Sequence, residues 1–505
     1  MGQLAGKKIL IFQQRNWGRS IGHFLAKKLQ DEGCQLAALT LKKTAHKFLT
    51  EQSEVDYDQV VNIDDIFENP EKYLEGVNIS LDKICQELNI DSIWPMIYSN
   101  RLMVRSYGKQ YYYSYHQNVS DEYMINYIKA YYKCIRDFLL NFKPDLIIMA
   151  AFVYEGHVIL QKLGDKYGSP TVSITDAKVP DYHFFVHDHL VSKGRIIDQA
   201  IKLNDRQIQS VNKAKSQKFI CEFREKFKTQ EWSQDLNKKI KFWHKIKREL
   251  SPYKQILNYY IRPTINTLRN LDPTPDNRSP FIILRDHYSQ KSYAKFACNF
   301  SYYPFEKLGK YVFFPLQFTP EASADLICPL FSNQIELARQ IAMSLPDDYT
   351  LAVKEHPAMV GLRDPEYLND LAYTANVKLI DFRIPSEKVL KNANLVVANY
   401  STTLFEAAMY CKPAIVLGDS GIFKLLPNII KHTDMDTMVV AIKKALTLDT
   451  HSQEYERRLE NYVAAVFDVG FNFKYLKAWE RGGENLEALW RLYKEEIKRL
   501  LISKK

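Results

Sequence analysis

The tetrad Lys354-Glu355-His356-Pro357 closes one apolar run, Tyr349-Thr350-Leu351-Ala352-Val353. The segment Asn399-Tyr400-Ser401-Thr402-Thr403 closes another, Ala393-Asn394-Leu395-Val396-Val397-Ala398. Short, nearly continuous apolar runs of this kind read as strands of a parallel sheet covered on both faces by helices. In an open α/β sheet, ligands sit in the crevice beyond the carboxyl ends of the strands. An imidazole at one strand end and a hydroxyl cluster opening a helix at another therefore face the same ligand. Both suit a phosphate. The pair points to an α/β protein that binds a nucleotide.

The same pattern extends along the chain. Residues 8–12 form a predicted strand, a helix starts near Ser20, and residues 35–39 form the next strand, a doubly wound opening. The loop Gln13-Gln14-Arg15-Asn16-Trp17-Gly18 lacks GxGxxG, so it is expected to form a cleft wall and not a dinucleotide cradle. A tyrosine-rich, mostly helical insertion covers about 60–142. Residues 144–150 form a strand ending at Tyr154-Glu155-Gly156, and residues 171–174 form one ending at Asp176. From about 200 to 275 the sequence is charged and helical, and it ends in the linker signature Asp272-Pro273-Thr274-Pro275-Asp276. A second series follows, with strands expected at 280–284, 310–315, 349–353, 377–380, 393–398 and 413–418. The predicted organisation is a Rossmann-like domain over 1–200, a basic helical linker over 201–278, a second Rossmann-like domain over 279–475, and C-terminal helices over 476–505.

Composition narrows the class. At 505 residues the chain exceeds one ordinary core. No apolar stretch approaches the ~20 residues that span a bilayer, and the start runs into a strand without a leader pattern. Seven scattered cysteines without CxxC spacing suggest neither disulfides nor a zinc knuckle, in keeping with a cytoplasmic protein. A net charge of +10 suits anionic substrates or an anionic membrane face. Nucleic-acid binding is not expected, because the basic residues concentrate in one segment.

Pro357 fixes the loop that presents His356, and Lys354 adds a positive charge. Ser401 could be a plain helix cap, but Ser401, Thr402 and Thr403 together exceed what a cap needs. No metal site is expected. His183, His187, Asp188 and His189 lack a matching carboxylate pair, and Asp434-Met435-Asp436 reads as a helix cap. The basic run 238–248, with Phe242 and Trp243 inside it, reads either as a solvated helix or as a peripheral contact with the inner membrane.

Leu316-Gln317-Phe318-Thr319-Pro320-Glu321-Ala322-Ser323, then Asn333-Gln334, Leu345-Pro346 and Val353-Lys354-Glu355-His356-Pro357, resemble the bacterial capsule and surface-polysaccharide glycosyltransferases. Several of those are β-Kdo transferases using CMP-Kdo. The His-Pro and Ser/Thr pair is also similar to motifs of bacterial sialyl- and polysialyltransferases. The resemblance covers about 310–425 and is only general across 1–190. It implies an α/β fold of the GT-B type, with two Rossmann-like domains facing a cleft. It also implies a donor site in the second domain, with His356, Ser401, Thr402 and Thr403 on the CMP phosphate and Gln317 and Glu321 near the cytidine or sugar.

The acidic motif of related first domains is represented here only by Tyr154-Glu155-Gly156, with a tyrosine in place of the first acid. Glu155 and Asp176, at the ends of adjacent predicted strands, are the leading catalytic carboxylates, and Asp325 is a reserve nucleophile. Arg15, Arg101 and Tyr107 are expected on the acceptor side. The donor substrate is a CMP-sugar, with no cofactor, and the acceptor is a glycan or glycolipid. CMP-sialic acid or another nonulosonate, a UDP- or GDP-sugar, or a non-catalytic nucleotide- or glycan-binding role are the alternatives. The expected location is the cytoplasm, extending to the cytoplasmic face of the inner membrane.

Overall fold

The computed structural model describes residues 3–108, 111–112, 116–227, 242–261, 278–419, 421–481 and 485–502. The apolar runs form two sheets. The first contains β1 (Lys8–Gln14), β2 (Gln35–Leu41), β3 (Gln59–Asn62), β4 (Leu146–Met149), β5 (Thr171–Asp176) and β6 (Tyr182–Val186). The second contains β7 (Lys310–Pro315), β8 (Tyr349–Lys354), β9 (Val377–Ile380), β10 (Leu395–Ala398), β11 (Ala414–Val416) and β12 (Ile429–Lys431). A short β13 (Phe471–Asn472) returns to the first sheet.

Both sheets share one strand order. The first runs β13-β6-β5-β4-β1-β2-β3 and the second β12-β11-β10-β7-β8-β9. Each therefore turns back on itself beside its opening strand, at β1/β4 and at β7/β10, the switch points where crevices open in doubly wound sheets. Pairing is parallel throughout the second sheet. In the first sheet β6 and β13 are antiparallel. Two Rossmann-like domains facing a cleft are the GT-B architecture that the resemblance implied.

Most predicted strands lie where expected, and two have the bounds read from the sequence: 310–315 and 377–380. The exception is 280–284, which opens a 20-residue helix, Pro280–Asn299. Ser279 caps it by accepting the Ile282 N–H, and Pro280 fills the first turn, where its missing N–H costs nothing. Ile282 and Ile283 are buried while Phe281 is exposed, so the apolar run serves one face of a helix. Strand β3 escaped notice because only Val60 and Val61 mark it.

The tyrosines of the insertion are largely packing residues. Tyr127, Tyr131 and Tyr132 are buried along helix Asp121–Phe142. Helices Arg195–Asn204 and Lys213–Glu225 pack on helix Gln453–Val469 beside the second sheet, and Arg224 pairs with Glu456 at 2.7 Å. The last helices belong with the first sheet. Leu489, Tyr493 and Ile497 share a core with Ile9, Ile11 and Leu25. Residues 228–241 lie outside the described residues, so the start of the basic run 238–248 does too; from Phe242 onward the chain forms a helix to Ile261.

Candidate active site

In the second domain, the ends of β7 and β8 are tied together by the Leu316 N–H, which donates to the Lys354 carbonyl at 2.9 Å. Arg363 completes the tie. Its Nε lies 3.2 Å from Glu355 Oε2, and its Nη2 donates to the Gln317 carbonyl at 2.7 Å. These contacts hold the Gln317 backbone, while its buried side-chain amide has no partner on either atom among the described residues. A buried amide left this way is costly unless a ligand satisfies it.

His356 is oriented by its own loop. Its Nδ1 accepts the Ala358 N–H at 3.2 Å, so the neutral ring carries its proton on Nε2. Burial, then Lys354 and Arg363, lower its pKa to about 4. At neutral pH it is therefore an uncharged donor. Lys354 supplies charge nearby, with Nζ 3.0 Å from Ser386 Oγ. Burial lowers Lys354 to about 8 against the pull of Glu406, and burial raises Glu406 to about 7. Half-buried Glu406 is thus the acid whose field raises Lys354 against burial.

The hydroxyl cluster opens helix Thr402–Met409. Ser401 is its N-cap, accepting the Thr403 N–H at 3.3 Å. Asn399, just before, donates from Nδ2 to the Phe331 carbonyl at 2.8 Å, and its Oδ1 has no partner among the described residues. The ends of β7, β8 and β10 thus assemble Gln317, Lys354, His356 and Ser401 with two half-buried threonines. Pro357 is exposed in the loop after β8.

The segment after β7 also reaches the first domain, at Glu321. A cleft of ≈ 320 Å³ is lined from one side by Arg15, Lys42, Asn100 and Arg101 and from the other by Glu321 and Asp325. A larger depression of ≈ 450 Å³ lies by Pro144 and Pro170, at the amino ends of β4 and β5, away from this chemistry. Glu321 is exposed at the cleft. Desolvation nonetheless raises its pKa, and Lys178 and Asp325 act on it from opposite directions.

The three candidate carboxylates have different surroundings. Glu155 opens helix Glu155–Lys166 and is fully buried; its Oε1 accepts Asn100 Nδ2 at 2.8 Å, with Tyr127 and Ser99 also bearing on the carboxyl. It lies behind the cleft wall that Asn100 forms, and burial pushes it up to about 7. Gly156 is required there, because a Cβ would fall 2.5 Å from the Tyr154 ring. Asp176 ends β5 at the seam between the domains. It accepts the Lys178 N–H at 2.7 Å and Nζ at 3.2 Å, and that ammonium lies 5.5 Å from the Tyr400 ring centre. Asp325 is buried in an ion pair with Arg105.

Arg15 and Arg101 line the cleft. Tyr107 is elsewhere: it is buried, with its hydroxyl donating to Asp286 and Arg285 5.4 Å from its ring, so it joins the insertion to helix Pro280–Asn299. Sequence reasoning missed Lys42, Asn100 and Lys178, and gave Asn399 no role of its own within its motif. Lys42 was readable in hindsight, since it follows β2 as Arg15 follows β1. The histidines 183, 187 and 189 occupy separate surroundings. His183 lies against Phe471, His187 Nδ1 is 2.8 Å from the Thr171 carbonyl, and His189 Nδ1 is 2.9 Å from Gln161 Oε1. Asp434 caps the turn Met435–Thr437. Among the described residues, no group of three or more His, Cys, Asp or Glu is placed to hold a metal ion, and no helix is long and apolar enough to cross a membrane.

The two doubly wound domains, with the candidate site at their strand ends, have a fold of the GT-B type. Residues 281–424 match the family model described as capsule polysaccharide biosynthesis protein, and this stretch includes Gln317, His356 and Ser401. The resemblance to capsule glycosyltransferases is borne out over the donor domain. No curated protein matches the chain. Among solved structures, it is similar to KpsC, a beta Kdo 2,7 transferase from Thermosulfurimonas dismutans, at 12% identity, 72% coverage of this chain, 89% of that one and a TM-score of 0.35. It is also similar to a glycosyltransferase from Rickettsia africae, at 10% identity, 98% and 99% coverage and a TM-score of 0.26. UDP-GlcNAc 2-epimerase from Methanocaldococcus jannaschii gives 11% identity, 89% and 95% coverage and a TM-score of 0.24.

Proposed function

We propose that this glycosyltransferase moves Kdo from CMP-Kdo to a bacterial surface-polysaccharide or lipid-linked glycan acceptor, at the cytoplasmic face of the inner membrane. The carrying observation is the group at the ends of β7, β8 and β10. His356 and Lys354 after β8 and the Ser401-capped helix after β10 flank the end of β7, where the amide of Gln317 is unpartnered among the described residues. One neutral donor, one cation and one helix terminus suit a single phosphate, as a CMP-sugar carries. Such a donor needs no cofactor, and no metal to offset a diphosphate. The choice of Kdo rests on the motif resemblance across 310–425.

A thermal-shift panel with CMP, UDP, GDP and CDP tests the donor. Ligand binding to the native state raises the melting temperature in a dose-dependent way. Stabilisation by CMP, lost in His356→Ala, is the expected result, followed by turnover with CMP-Kdo. A response to UDP or GDP instead replaces the donor, preferential turnover with CMP-sialic acid replaces the sugar, and no response removes the phosphate site.

Peripheral membrane contact has a structural candidate. Leu250, Tyr253, Leu257 and Ile261 recur at three- and four-residue spacing on helix Phe242–Ile261, each more than half exposed, with Lys247 and Lys254 also exposed. Tyr253 bonds to Tyr288, which joins this stripe to exposed Phe281 and Tyr288 on the neighbouring helix. An apolar face set among lysines complements an anionic bilayer. Sedimentation with phosphatidylglycerol vesicles is expected to carry the protein down, and Leu250→Glu with Leu257→Glu to leave it in solution. Equal sedimentation of both discards this contact.

A further inference from the structure

Sugar transfer needs a carboxylate that faces the acceptor, and the cleft narrows which acid that is. Among the described residues that line it, three are acids: Asp64, Glu321 and Asp325. The last two come from the second domain. Asp325 is bonded to Arg105 at 2.7 Å, and Glu321 accepts the Ser323 hydroxyl at 3.0 Å. Glu155 lies behind Asn100, and Asp176 is held at the seam by Lys178. Asp64 is the acid that the first domain brings to the cleft, in the first turn of helix Ile63–Glu68, directly after β3.

Part of Asp64 has a structural duty. Its carboxylate accepts the Lys42 N–H and so holds Lys42 at φ +82°, a region that residues with a Cβ avoid. Arg15, at the matching end of β1, has φ +44°, with Gln14 opposite Leu41 in the register of β1 and β2. Asn62 Oδ1 steadies the helix start by accepting the Asp64 N–H at 3.2 Å. The second carboxylate oxygen, Oδ2, has no hydrogen-bond partner among the described residues, in a residue only 5% exposed. A buried oxygen left this way costs stability, and a catalytic role is one reason a folded protein keeps it. Burial, helped by Glu68 and opposed by Lys42 and Lys43, raises Asp64 to about 6, and Lys43 is itself paired with Glu68 at 2.9 Å. An acid in that range exchanges a proton readily near neutral pH.

We propose that Asp64 is the general base of the transfer, taking the proton of the acceptor hydroxyl on Oδ2. The assignment rests on the glycosyltransferase reading and adds a catalytic residue to it. As the acceptor oxygen bonds to the anomeric carbon, its proton passes to Asp64, and the bond from that carbon to its leaving group breaks. The electron pair departs with the CMP phosphate in a direct displacement, or returns to an enzyme carboxylate where the sugar was first held covalently. The bond to the Lys42 N–H keeps the carboxylate oriented while Oδ2 changes its protonation.

Asparagine separates the two duties, since its amide oxygen still accepts the Lys42 N–H while the base is gone. CMP release from CMP-Kdo, with water in place of the acceptor, is expected to fall about 100-fold or more in Asp64→Asn, with the CMP melting response unchanged. Asp64→Ala should lose the same turnover and regain part of it in added formate, which a purely structural acid would not. Stability is read separately and needs no donor. The folded acid prefers its proton, so its contribution is complete below pH 3.8 and is lost as pH rises through about 6. Asp64→Asn is therefore expected to unfold at higher urea than wild type at pH 8 and to lose that advantage at pH 5. Full turnover in Asp64→Asn, or a urea midpoint below wild type at pH 8, overturns the assignment. A wild type that does not respond to CMP, or releases none from CMP-Kdo, counts against the donor reading, and the urea comparison then decides this one.

Discussion

Arg105 Nη2 stands 2.7 Å from Asp325 Oδ1, with both side chains about 95% buried, and so joins the first-domain insertion to the second-domain wall of the cleft. The pair explains why Asp325 is a structural tie as much as a candidate nucleophile. Burial raises its pKa even against Arg105. Asp325→Ala is expected to cost about 3–5 kcal/mol, since it strands a buried guanidinium. Arg105→Met combined with Asp325→Leu should recover most of that loss in urea unfolding. Additive losses in the double variant would show that the two residues act separately.

Glu155 carries a pH signature of its own. Its folded pKa of about 7 exceeds the ordinary 4.5, so the native state prefers the protonated acid. Stability contributed this way is complete below pH 4.5 and is lost as pH rises through 7, on the order of 3 kcal/mol. Urea midpoints at pH 5 and pH 8 should differ in wild type and converge in Glu155→Gln. If Glu155 also serves as the general acid, kcat/KM declines above about pH 7 and Glu155→Gln loses turnover with little change in CMP binding. A stable, fully active Glu155→Gln would leave Asp176 as the first-domain candidate.

His356 is predicted to act as a neutral donor. A glutamine at this position places an N–H near the place of Nε2, whereas alanine supplies none. His356→Gln is expected to keep CMP affinity within about threefold at pH 7.5, and His356→Ala to lose about tenfold or more, on the magnitude of one hydrogen bond to a charged group. Thermal-shift titrations decide it. Equal losses in the two variants would mean that the charged imidazolium is the binding form.

Glu496 anchors the C-terminal helix to the first sheet. Burial alone would raise its pKa, but hydrogen bonds to His187 and Arg499 bring it down to about 2. The associated stability is present above pH 4.5 and is lost as pH falls through about 2. Glu496→Gln should lower the urea midpoint at pH 7 and flatten its acid dependence between pH 4.5 and 3. An unchanged midpoint at pH 7 would show that the apolar contacts of Leu489, Tyr493 and Ile497 hold this helix unaided.

Much of the donor domain was legible because its signals are local. An apolar run followed by His356-Pro357, or by Ser401-Thr402-Thr403, specifies a strand, its end and the group presented there, whatever the rest of the chain does. The same locality misled at 280–284, where five apolar residues fit a buried strand and a helix start equally well. Tertiary burial of Ile282 and Ile283, with Phe281 left outside, selected the helix.

What only the tertiary structure decided is which side chains meet. Arg105 and Asp325 are 220 residues apart, and Trp17 donates to Tyr475 at 2.9 Å across 458. No periodicity encodes such encounters, because they depend on how two sheets and a returning C-terminal segment pack. Local propensity also argues against positive φ at Arg15 and Lys42, so the strained wall of the cleft is visible only once Asp64 and the register of β1 and β2 hold it in place. The sequence by itself determined the parallel strands and placed His356 and Ser401 at the ends of two of them. Long-range packing decided the cleft, its charge balance and the burial that raises Glu155.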